Sequence, residues 1–182
     1  VSTKIKGTSS RQPVQVRLLH TRVGLKEKLP KVAAALHNLF SEKCQPFYIV
    51  VEGELPLTVN HSKFKRIRKA KTGTYYAQDV LKPEVFVFRD LVRYATIGRK
   101  WEPRGTTAAI ILFESPNWLT LKNQVRQVDA DNKVKPLLDA IQHATGIEDE
   151  RHFQLHVFKV CSKKTRTVVL LYDLGDLVEM YE

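Results

Sequence analysis

The chain has 182 residues, 43% hydrophobic and 27% charged, which suits one globular domain with a sizeable core and excludes a disordered or fibrous chain. No apolar run approaches the roughly 20 residues of a membrane-spanning helix, and no apolar stretch follows Lys4 and Lys6, so neither a span nor a secretory signal is expected. Thirty Lys and Arg against nineteen Asp and Glu leave a formal charge of +11, which favours a polyanionic partner; no basic amphipathic helix points instead to a membrane surface.

Residues 1–45 read as an N-terminal extension beside a main domain of 46–182. The extension opens with a polar stretch holding Gly7, Ser9 and Ser10, and the alternation at 14–18 suggests a short strand. Pro30 suits a helix start, and Val32, Ala35, Leu36 and Leu39 recur at helical spacing up to Phe40, so a helix packing on the main domain is expected. The main domain starts with a buried strand from Phe47, ended by a turn around Pro56. A basic loop at 61–71, a turn at Gly73 and a helix over 79–94 follow, the last interrupted early by Pro83. After a loop at 98–105, residues 108–113 read as a central strand. A connection at 116–128 then leads to a helix over 131–144. Strands at 153–160 and 167–172 read as a β-hairpin turning at 162–166, and the acidic stretch 173–182 as a short helix or tail. The order implies a single α+β domain, a mixed β-sheet flanked by two main helices. Cys44 and Cys161 lie far apart with no CxxC and read as buried thiols of a reducing compartment, so a cytoplasmic location is expected.

The sharpest signal is the stretch running from Asp129 to Asp139. Val134, Leu137, Leu138 and Ile141 fall at i, i+3, i+4 and i+7, a core-facing stripe. Asp131, Lys135 and Asp139 rise along a different face at i, i+4 and i+8. Asp129 and Asp131 would point to one side if their stretch is extended. Clustered carboxylates repel unless a cation compensates, and Mg²⁺ suits a few carboxylates, waters and a substrate phosphate. A Lys one turn on can stabilise charge developing on a phosphoryl group. A second acidic cluster, Glu148, Asp149 and Glu150, follows Gly146, a natural helix cap, and could close the site. Two structural readings compete. An Asp at a helix start is a common N-cap, and Asp131–Lys135 or Lys135–Asp139 could be plain surface ion pairs.

The string Asp129-x-Asp131-Asn132-x-x-Lys135-Pro136-x-x-Asp139-Ala140, with Gly146 and then Asp149-Glu150, resembles the RusA-type Holliday junction resolvases. Residues 51–60, with Pro56 and Asn60 ahead of a basic loop, are similar to that family's opening strand, and the likeness covers about 46–175. The resemblance implies a Mg²⁺-dependent catalytic site, with Mn²⁺ as an alternative ion. Asp129 and Asp131 would be metal ligands and Lys135 would assist at the phosphate. Asn60, Asn132 and Asp139 would support them. Glu150 stands where the family has the second residue of an Asp-Asp pair; the departure leaves Asp149 or Glu150 as the late ligand. The resemblance further implies a homodimer that resolves four-way DNA junctions by paired symmetric nicks, in recombination and repair. No nucleotide cofactor and no membrane partner are expected.

Lys63, Lys65, Arg66, Arg68, Lys69 and Lys71, interleaved with Phe64 and Ile67, would track DNA phosphates beside the catalytic helix. Lys163, Lys164 and Arg166, and Arg99, Lys100 and Arg104, rank second. The competing functions are a non-catalytic, structure-selective DNA-binding protein of the same fold and a nuclease of other branched nucleic acid.

Overall fold

A computed structural model of the chain describes residues 29–42, 44–122, 124–126 and 129–175. The strand expected at 14–18 and residues 176–182 lie outside these. The described residues form an α+β fold with a mixed sheet. Helix α1 (Lys31–Ser41) leads to strand β1 (Phe47–Glu52), then to β2 (Lys63–Lys69) and β3 (Tyr75–Leu81). Helix α2 (Pro83–Thr96), strand β4 (Thr106–Ser115), helix α3 (Asp131–Thr145), and strands β5 (His152–Cys161) and β6 (Arg166–Gly175) complete it. No described helix is long and apolar enough to cross a membrane.

The main sheet has the order β1-β6-β4-β5, with β4 and β5 parallel and the other neighbours antiparallel. The position of β4 follows from its sequence. It is buried almost from end to end, and a strand covered on both faces reads as a continuous apolar run. Alternate residues serve opposite layers. Ala109, Ile111 and Phe113 of β4, with Ile49 and Val51 of β1 and Val169 and Leu171 of β6, pack under α2 and α3. Ala108, Ile110 and Leu112, with Val168, Leu170 and Tyr172, pack against Ala33 and Phe40 of α1. The α3 stripe behaves as its spacing predicts: Leu137, Leu138 and Ile141 are buried and Val134 packs partly beneath them.

Four expectations change. Strands β5 and β6 form no hairpin, because β4 lies between them and pairs with both; an apolar strand with two unpaired edges is best satisfied at the centre. The half-exposed β5 takes the edge, and α3 makes the crossover that parallel neighbours require. Residues 79–82 are not helical: Asp79 to Leu81 finish β3, and Pro83 takes the first helical position, where its missing N–H costs nothing. The basic segment is a strand, not a loop, and with β3 it makes a separate two-stranded ribbon turning at Gly73 (φ 87°). Asp173 to Gly175 continue β6 rather than starting a helix or tail.

In α1 the buried face also differs from the periodic one. Val32 and Leu39 are exposed, while small Ala33 lets the helix approach the sheet and Phe40 sits 5.1 Å from the Tyr172 ring. Both cysteines are free, but Cys161 is exposed on the edge strand rather than buried.

Candidate functional site

Asp139 and Asp149 meet on Lys135 of α3, while Asp129, Asp131 and Glu150 make no ion pair or hydrogen bond with that group among the described residues. Ala130 holds the N-cap position in helical conformation (φ −74°, ψ −35°), so the stretch from Asp129 to Asp131 is not extended. The alternation that would have aligned the two side chains therefore does not apply. The N-cap explanation fails as well, since an Ala side chain cannot cap and no side-chain cap hydrogen bond is made. Asp129 accepts instead from Asn132 Nδ2 at 3.1 Å, and Asp131 opens the helix exposed. Asp131 makes no ion pair among the described residues. Pro136, the sixth residue of α3, has no N–H to give the Asn132 carbonyl.

Lys135 and Asp139 sit one helical turn apart, and their side chains pair at 3.1 Å. Lys135 also donates to Asp149, which comes from beyond the helix. Gly146 makes this return feasible: it ends α3 in the left-handed region (φ 76°), its N–H bonds the Gln142 carbonyl at 2.8 Å, and buried Ile147 anchors the reversed chain. Asp149 then opens a 3₁₀ turn (Asp149–Arg151) facing back along α3. The hydrogen bonds to Asp149 and then Asp139 push the Lys135 ammonium above its ordinary pKa, and the same contact pulls the Asp149 carboxyl below its own. Glu150, in the same turn, is exposed.

The surface-bridge reading is thus half right. The Lys135–Asp139 pair exists, but Lys135 holds a second carboxylate fourteen residues on, which a simple i,i+4 pair does not require. Two of its three ammonium hydrogens are taken, leaving one for a phosphate.

The donors around α3 are carboxylates, the hard oxygen ligands that suit Mg²⁺ or Mn²⁺. Among the described residues, no three His, Cys, Asp or Glu side chains gather closely enough to hold an ion by themselves. Mg²⁺ commonly takes only one or two protein carboxylates and completes its shell with waters and substrate phosphate. Asp129 and Asp131, both exposed at the start of α3, have the chemistry to supply one or two ligands of that kind.

Two contacts escaped the sequence reading. Lys133 Nζ donates to the Pro56 carbonyl at 2.7 Å, tying the first turn of α3 to the segment that leads into the ribbon. Burial lowers its pKa. The 3₁₀ turn at Val59–His61, which carries exposed Asn60, packs on α3 at the base of that ribbon. Buried His152 bonds Thr107 Oγ1 through Nδ1 at 2.7 Å, and its Nε2 is buried with no partner. Its place right after the acidic turn was the only signal for it.

The second-rank basic residues are mostly committed elsewhere. Arg166 forms a two-pronged pair with buried Glu114 at 2.7 and 2.9 Å, so it is an anchor and not a phosphate contact. Arg99 lies 4.3 Å from the Phe47 ring centroid and donates to the Tyr48 carbonyl, while Lys100 pairs with Glu102 at 2.6 Å. Arg104 is 3.9 Å from Asp173. Lys163 and Lys164 are exposed near the end of β5. All six first-rank basic residues are exposed, on β2 or, for Lys71, in its turn. No protein-family model matches the chain, and no curated protein matches it in sequence.

Proposed function

We propose that this protein is a metal-dependent endodeoxyribonuclease that acts on branched DNA, resolving four-way junctions by paired phosphodiester nicks as a homodimer. One observation carries the reading. Asp131 and Lys135 lie one turn apart on the exposed side of α3, the returning Asp149 meets Lys135, no side-chain cap accounts for the acids at the helix start, and the segment leading into the basic ribbon is tied to the helix's first turn. The resemblance of the Asp129–Glu150 pattern to RusA-type resolvases supports the same chemistry.

Asp129 and Asp131, with Glu150 as the free late carboxylate, would hold Mg²⁺. When bound, the ion supplies Lewis-acid polarisation of the scissile phosphate and acidifies water. Lys135, kept protonated by Asp149 and Asp139, presents fixed positive charge where negative charge develops on the phosphoryl oxygens. Asp139 and Asp149 fix the direction of its stem, so little reorganisation is needed when a phosphate arrives. Hydrolysis forms a bond from water oxygen to phosphorus and breaks one P–O bond, leaving a nick that a ligase can seal. A junction with two-fold symmetry calls for two such sites related by the same symmetry, hence the dimer.

A second reading is a non-catalytic, structure-selective DNA-binding protein of this fold. It is favoured by the open arrangement of the carboxylates and by the commitment of Asp149 to Lys135. Incubating an end-labelled four-way junction with and without Mg²⁺ separates the two: nicking that Asp131→Asn abolishes supports the nuclease. Binding with no cut under Mg²⁺ or Mn²⁺ leaves the binding protein. Competition with flap, duplex and RNA substrates identifies the preferred branch.

A further inference from the structure

The ribbon of β2 and β3 is an unusual use of sequence. No residue from 63 to 81 belongs to either core, yet Phe64, Ile67, Tyr75 and Tyr76 are all exposed on it. A lone two-stranded hairpin is marginal in water, and exposed aromatics on one call for a partner. The register divides its side chains between two unlike faces, because directly opposed residues share a face.

One face pairs Lys65 with Asp79, at 3.2 Å between their charged atoms, and places the Lys69 ammonium 5.7 Å from the Tyr75 ring centroid. Lys65 and Lys69 are thus partnered, while Lys63 on the same face has no ion-pair partner among the described residues. The other face pairs Phe64 with Val80, Arg66 with Gln78 and Arg68 with Tyr76. It carries no carboxylate, and neither guanidinium has an ion-pair partner among the described residues. Aromatic, Arg, Arg succeed one another every second residue, about 7 Å apart. Ring faces that stack on bases, flanked by planar cations that pair with phosphates, are the chemistry of unpaired-strand recognition.

We propose that the Phe64–Arg66–Arg68–Tyr76 face of the ribbon binds unpaired deoxynucleotides, stacking exposed bases on Phe64 and Tyr76 while the two Arg hold their phosphates. This deepens the branched-DNA reading and rests on it for the substrate: a branch point is where unstacked bases stand next to duplex arms. The Lys65–Lys69 face contributes diffuse charge only. The ribbon's base is joined to α3 through the Lys133–Pro56 hydrogen bond and the turn at Val59–His61, with Phe64 at that end and Tyr76 toward the tip.

The test uses the full chain carrying Asp131→Asn, in Mg²⁺-free buffer, with two probes. One is a four-way junction carrying 2-aminopurine at the branch point, and the other is a single-stranded deoxyoligonucleotide carrying the same base. The parent should bind both and change 2-aminopurine emission. Phe64→Ala with Tyr76→Ala should abolish the emission change and weaken single-strand binding roughly 10-fold or more. Arg66→Ala with Arg68→Ala should reduce the salt slope by about 1 to 2. Lys65→Ala with Lys69→Ala should preserve the emission change and weaken binding about 2-fold. Thermal melts should match the parent, since the ribbon supports neither core. Equal losses from the two faces, or an unchanged emission signal in the Phe64/Tyr76 variant, overturns the proposal. Nicking by the wild type with Mg²⁺ is scored separately. Nicking without the face-specific signal sinks the ribbon inference alone, and the signal without nicking sinks the nuclease alone.

Discussion

Arg166→Met tests whether Arg166 is a structural anchor rather than part of the proposed DNA-binding surface. Its guanidinium meets both oxygens of Glu114, a carboxylate only 7% exposed, and lies 3.8 Å from Glu52. Removing the cation leaves a buried carboxylate with only Ser162 and Lys164 to favour its charge, and breaking a buried pair from one side costs about 3–5 kcal/mol as an upper figure here. With a urea m-value of about 2 kcal/mol/M for a domain of this size, the unfolding midpoint should fall by roughly 1.5–2.5 M. Replacing both partners with apolar residues, Glu114→Leu with Arg166→Met, should recover most of that loss, because no charge is left unpaired. Burial already pushes the Glu114 carboxyl above its ordinary pKa. A carboxyl with a raised folded-state pKa holds its proton in the native state after the unfolded chain has lost it. The contribution of Glu114 to the stability of Arg166→Met should therefore be full below the ordinary Glu value and be lost as pH rises from there through the raised one. Urea titrations at several pH values read this directly. An unchanged midpoint, together with weaker DNA binding and a smaller salt slope, would refute the reasoning and return Arg166 to the interface.

Three further outcomes follow from the geometry. Leu137→Ala removes a wholly buried side chain between α3 and the sheet and should cost about 2–5 kcal/mol in chemical denaturation, with a wild-type-like fold at low denaturant. Lys135→Met, whose side chain is 58% exposed, should leave the melt nearly unchanged but lower the single-turnover rate of nicking by roughly 100- to 1000-fold. His37, hydrogen-bonded to the Tyr172 hydroxyl, has its pKa lowered by burial. The unfolded chain then binds the proton first, so stability should decline as pH falls below about 6.5; His37→Gln should make that decline shallower, with buried His152, lowered in the same direction, carrying the remainder.

The sequence disclosed what is local. The apolar run of β4 and the α3 stripe are set by residues within a few positions of one another, and both stand where their periodicity puts them. Asp131, Lys135 and Asp139 were legible for the same reason, being single turns apart. Pairing between distant segments was not. Whether β6 pairs with β5 or with β4 depends on which strand most needs two neighbours, and adjacency in the chain suggested the wrong partner. Strand β2 was missed because all of its residues are exposed, so it shows no alternation of apolar and polar residues. On α1, Val32 and Leu39 are more apolar than Ala33, yet close approach to the sheet selects the smaller residue. Around the site, the reach of Lys135 to Asp149 depends on the turn at Gly146. The Lys133–Pro56 and His152–Thr107 contacts join residues 77 and 45 positions apart, and no local pattern announces them.

The central claim is catalytic, and metal-dependent nick mapping addresses it most directly. A four-way junction labelled on opposing strands is incubated with wild type and with Asp131→Asn, with Mg²⁺ and with chelator. The account predicts nicks at symmetric positions on both strands with wild type and Mg²⁺ only, and junction binding without cleavage by Asp131→Asn. Junction binding by the wild type with no nick under Mg²⁺ or Mn²⁺, or equal nicking by Asp131→Asn, would contradict it.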